Sequence, residues 1–153
     1  MRIRRTAPWC HYESKPVEGQ DLKSLPKTIR FDGIAIVQAP KGCLTLHEAY
    51  DALKAQGETF LDGQILMTLI QNGKEDSVSA WHAEGVGTYS YVVFAAVLID
   101  FKAAGYHQGF PALGWADNGE TAELSMMGWE EVLPPPDDED PVFFAVMRRS
   151  PTN

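Results

Sequence analysis

The pattern of hydrophobic and polar positions starts slowly. Residues 2–8 suit a short strand, but 9–27 set Pro16, Gly19 and Pro26 among polar side chains, so 1–27 reads as a basic, irregular N-terminal arm. The run TIRFDGIAIV (28–37) is rich in β-branched residues and lies between Pro26 and Pro40, which predicts a strand. Its alternation fails in the second half, as in a strand covered on both faces. Thr45-Leu46-His47-Glu48 is a capping box, and Leu46, Ala49, Tyr50 and Leu53 follow at helical spacing, with Gly57 as C-terminal stop. This predicts a helix over 46–56. Residues 63–72 (GQILMTLIQN) suit one helical face with Asp62 as N-cap, although a buried strand turning at Asn72-Gly73 uses the same residues; helix is the preferred reading.

The run from Thr88 to Ala104 (TYSYVVFAAVLIDFKAA) is apolar on nearly every side and ends at Gly105. It predicts a central helix buried all round, while its valines and tyrosines leave a strand open. Asp117-Asn118-Gly119 is a hairpin signal between ALGWA and ETAELSMM. Gly128 fits a bulge before WEEVL, though ELSMMGWEEV also fits a helix. Pro134-Pro135-Pro136 and the acids after it form a solvated loop, and VFFAVMRR (142–149) predicts a last strand. Residues 28–153 are therefore expected to form a single α+β domain, an antiparallel sheet with a central cluster of two or three helices.

Composition narrows this only a little. The chain has 153 residues, 44% hydrophobic and 22% charged, so disorder and rod-like folds are excluded. The longest uncharged apolar segment, 85–99, is shorter than the ~20 residues of a spanning helix, and the N-terminus lacks the apolar run of a signal peptide. Cys10 and Cys43 fit reduced, buried thiols. A cytoplasmic protein away from membranes is expected.

Charge changes the picture more. Net charge is −8, which argues against direct nucleic-acid binding. The first 30 residues carry seven basic groups against three acidic ones, whereas 103–147 holds no Lys or Arg. That segment carries nine acids: Asp117, Glu120, Glu123, Glu130, Glu131, Asp137, Asp138, Glu139 and Asp140. Carboxylates this dense repel one another unless solvated or met by cations. They form either a solubilising face or a docking surface for a basic protein, with Trp115 and Trp129 as anchors.

Candidate chemistry is thin. Cys43, His47 and Asp51 are spaced four apart around a helix N-terminus, where a thiolate could be stabilised and a histidine could act as base. An i, i+4 pair on a polar face explains His47 and Asp51 equally well. Cys10, His11, Cys43, His47, His82, Glu84 and His107 lack metal-ligand spacing, and no metal or cofactor is expected. Gly85-Val86-Gly87-Thr88 lacks the partners of a phosphate loop. The leading expectation is a small acidic inhibitor or adaptor that docks on a basic partner. Nuclease-binding surfaces of that kind occur in viral counter-defence proteins (anti-CRISPR-like) and in nuclease-immunity proteins, which imitate nucleic-acid charge. The alternatives are an assembly protein that forms homo-oligomers through its N-terminal arm and acidic C-terminal half, and a small enzyme using Cys43/His47 or His82/Glu84.

Overall fold

The structure is a computed structural model that describes residues 2–4, 15–17, 19–23, 25, 29–71, 91–100, 108–116, 121–133 and 141–149. Within them lie eight strands: β1 (Arg2–Arg4), β2 (Lys15–Pro16), β3 (Ile34–Gln38), β4 (Tyr91–Val93), β5 (Ile99–Asp100), β6 (Gln108–Ala116), β7 (Thr121–Gly128) and β8 (Val142–Met147). Two helices, α1 (Leu46–Ala55) and α2 (Gly63–Gln71), complete the regular elements apart from a single 3₁₀ turn at Phe31–Gly33. Six strands run in the order β1-β7-β6-β4-β8-β3, and β5, with β2 beside it, adds to β6.

The expected antiparallel sheet around a cluster of central helices is therefore overturned. The fold is mostly β, its sheet is mixed (β1 with β7 and β4 with β8 are parallel), and the described residues hold only two short helices. The error came from 88–104. Residues 91–93 and 99–100 of that run are strands, not a helix. Val92 and Phe94 pack with Leu61, Ile65, Leu66 and Leu113, whereas Val93 packs with Leu46, Ala49, Leu53 and Phe144. Successive residues thus point to opposite sides of the sheet, with α2 over one side and α1 over the other. A strand buried on both faces has no alternation to display, and its apolar run is indistinguishable by pattern from an all-round apolar helix.

β4 and β5 lie end to end along one edge of β6. Val93 sits opposite Ala112 and Ile99 opposite Gly109, so six steps along one strand meet three along the other, and three residues are looped out. The break has a cause in the sequence. Phe94 donates its N–H to Pro111 O at 2.9 Å, but Pro111 has no N–H to return, and the ladder opens there. Gln20 holds the loop: its amide donates to Leu98 O and accepts from Leu98 N, both at 2.7 Å, as a neighbouring strand would.

The helices form for the reasons visible in the sequence. Thr45 Oγ1 accepts from Glu48 N, while the Glu48 carboxylate reaches past the N-cap to accept from Leu44 N at 2.6 Å. At the other end Gly57 N donates to Lys54 O and Glu58 N to Leu53 O, a Schellman closure that needs the φ of +86° at Gly57. Arg149 extends from beyond β8 to Gln56 O and Glu58, placing a cation at that helix end. Asp62 caps α2 through Ile65 N. The strand expected over 28–37 begins only at Ile34, because Phe31–Gly33 makes its turn first. There Arg148 gives its backbone N–H to Gly33 O and its guanidinium to Asp32 O and Ile34 O. β6 and β7 pair antiparallel up to Ala116 and Thr121, as the hairpin signal required, and the final strand lies within 142–149 as read. Gly128 ends β7 as strand. No helix among the described residues is long and apolar enough to cross a membrane.

Candidate functional site

The surface that gathers most of the unusual side chains lies where the entry to α1 meets the exit from β7. Thr45 and Val132 form an antiparallel bridge, Leu46 N donates to Glu131 O, and Leu133 N donates to Leu44 O, all within 2.9 Å for the two hydrogen bonds. Beneath the bridge Leu46 and Leu133 are buried with Val142 and Phe144. Leu44 and Val132 are 69% and 75% exposed.

Carboxylates stand on both sides. Glu48 is exposed and pinned to Leu44 N, and Glu131 is exposed and accepts from Gly128 N at 3.1 Å. Glu130, between Trp129 and Glu131 in the chain, is exposed as well. Glu123 is exposed on β7, opposite Gly114, which in turn lies opposite Tyr91. The Tyr91 ring fills the space over Gly114: a Cβ there would stand 2.8 Å from its Cε1. Partial burial pushes the Tyr91 phenol above its ordinary pKa, and the negative charges of Glu131 and Glu123 push it further.

Trp129 is half-buried in an aromatic group beside this surface. Its ring meets Tyr50 and Phe110 edge-on at 5.1 and 5.3 Å, and His47 lies against it at 4.1 Å. Tyr50 stacks in turn on Phe60 at 4.8 Å. Trp129 thus supports the floor of the surface rather than standing free on it.

Of the acidic residues singled out in the sequence, Glu130 and Glu131 lie on the segment that the bridge joins to the start of α1, and Glu123 and Glu131 both act on the Tyr91 phenol. Asp117, Glu120 and Asp137–Asp140 lie outside the described residues, and Trp115 is placed only by its backbone, opposite Ala122. Glu48, Tyr91, Leu44 and Val132 were missed. Leu44 immediately precedes the N-cap, the position from which a hydrophobic staple packs onto the first turn; its exposure shows that no such staple forms. That failure depends on the bridge to Val132, a contact across nearly ninety residues that local pattern does not carry.

Cys43 and His47 do not assemble into a catalytic pair. His47 pairs with Asp51 at 3.1 Å, and no hydrogen bond joins it to Cys43. Burial, and then the charge of Glu48, raise the Cys43 pKa, which keeps a protonated thiol and a poor nucleophile. His82, Glu84 and Gly85–Thr88 lie outside the described residues, as do Cys10, His11 and His107. Among the described residues no three His, Cys, Asp or Glu are grouped as metal ligands would be. No protein-family model, curated protein or solved structure matches the chain.

Proposed function

We propose that this protein is a small acidic binding module that inhibits or adapts a basic partner by docking on it. One observation supports the reading: exposed Glu48 and Glu131 are each held by a backbone N–H on the two segments joined by the Thr45–Val132 bridge, with exposed Glu130 next to Glu131 in sequence and exposed Glu123 acting with Glu131 on Tyr91, within a chain of net charge −8. Fixed carboxylates with spaced negative charge suit a surface rich in Lys and Arg, and a groove that holds nucleic-acid phosphates is such a surface. An inhibitor of a nuclease or of another nucleic-acid-binding assembly would work by occupying that groove. The assembly alternative draws less support, because β1 of the basic arm is already engaged within the chain, with Arg4 opposite Glu123.

The test begins with capture of partners from the native host at low and high salt. Association of the captured basic protein with a Glu48→Gln, Glu123→Gln, Glu130→Gln, Glu131→Gln variant should then be about tenfold slower, with a flatter salt dependence. An unchanged rate and salt slope would reduce the carboxylates to a solubilising face.

A further inference from the structure

We propose that the outer border of β3 binds an extended acidic peptide segment as an added strand, with apolar side chains at its centre and carboxylates at its ends. This concerns a second surface and does not depend on docking with a basic partner; either can fail without the other.

Among the described residues β3 has β8 as its only neighbouring strand. The bonds from Ala39 N to Val142 O and from Arg148 N to Gly33 O set the phase of that ladder, so the N–H and C=O groups of Ile36 and Gln38 face away from β8. Such groups receive an extended peptide as a further strand. The side chains there are incompletely covered on both faces of the sheet. Ile36 packs at the margin of the core under α2, and Ala35 and Val37 at the margin of the core under α1, all three half-buried. A strand laid beside them would complete that cover, which calls for apolar side chains at its centre.

Charge decides what stands at its ends. In a chain of net charge −8, the stretch from Gly33 to His47 holds no acid and a single cation, Lys41. The stretch from Pro141 to Asn153 also holds no acid, and carries Arg148 and Arg149. Arg149 is matched by Glu58, and Asp32, just before the border, by Arg30. Arg148 instead donates to the carbonyl oxygens of Asp32 and Ile34, which leave its charge unbalanced at one end of β3. Exposed Lys41 follows the other end. Carboxylates flanking the added segment would meet both cations, whereas a basic segment would be repelled. β3 of a second copy is a poorer occupant. Laid antiparallel, it brings Arg148 towards the Lys41 end of the other chain; laid parallel, it sets like ends together.

Fluorescence anisotropy tests this on the full chain. The probe is a labelled synthetic peptide, a short Val-Thr repeat flanked at each end by a pair of Glu. It should bind at least about tenfold more tightly than its counterpart with Lys in place of every Glu, and the difference should shrink at high salt. Ile36→Pro removes an outward N–H without touching the ladder to β8, and should weaken binding about tenfold. Hydrogen exchange on the wild-type chain locates the contact should that variant not fold: the peptide should protect the Ile36 and Gln38 amides. Protection confined to other amides, equal binding of the Lys peptide, or no binding at ~1 mM peptide would each overturn the inference.

Discussion

The sheet interior makes its sharpest demands at two glycines of β6. A Cβ on Gly109 would come within 2.6 Å of the Met127 carbonyl oxygen, which belongs to a paired strand and cannot retreat. A Cβ on Gly114 meets the Tyr91 ring instead, and an aromatic side chain that is 38% exposed can swing outward. Gly109→Ala should therefore destabilise by about 1–3 kcal/mol and Gly114→Ala by clearly less, as denaturant titration would show; equal losses would refute the distinction. Tyr91 supplies a second expectation. Its phenol is raised by burial first, then by Glu131 and Glu123, so the folded chain holds this proton after the unfolded chain has released it. Stability is then complete at neutral pH and falls as pH climbs from about 10. The phenolate absorbance removed by Tyr91→Phe should titrate above the ordinary tyrosine range, and Glu131→Gln should lower its midpoint. No sequence pattern announced either feature, because each depends on which residue of another strand lies opposite.

Elements were legible where their signals were local. α1 has its period, N-cap and terminal glycine within a dozen residues, and it formed almost where expected. Thr45→Ala removes the acceptor for Glu48 N and should cost about 1 kcal/mol. Gly57→Ala forces a side chain into φ +86° and should cost a similar amount, while leaving the sheet intact by near-ultraviolet circular dichroism. Little change in melting for both would mean that α1 is held by packing alone. The strand segments in 88–104 were illegible for the opposite reason: their identity lies in what covers them. Pro111 was the overlooked clue. A proline within a central strand demands a break in the neighbouring ladder, and the break after Phe94 is what divides the long apolar run into β4 and β5.

At the scale of the molecule, the charge layout was plain in the sequence, whereas the joining of the segments that carry Glu48 and Glu131 required the fold. The same scale exposes a hazard. β3 closes one end of the strand order, and β8 uses its odd-numbered peptide groups: Ala39 N donates to Val142 O and Gly33 O accepts from Arg148 N. Ile36 and Gln38 therefore turn their N–H and C=O groups outward, and Ile34 its C=O (its N–H donates to Phe31 O), along an apolar, uncharged border of the kind that templates strand addition by other chains. The Arg148 guanidinium sits on the first of these carbonyls, at Ile34, and on Asp32 O beside it. Arg148 is placed to oppose open-ended growth of the sheet. Arg148→Ala should accordingly raise the sedimenting mass in a concentration-dependent way, and adding Gln38→Lys should restore the wild-type mass. A protein that tolerates Arg148→Ala without any such rise would have its border protected by something else. If the expectation holds, a single guanidinium separates a closed molecule from an open-ended stack of its own copies.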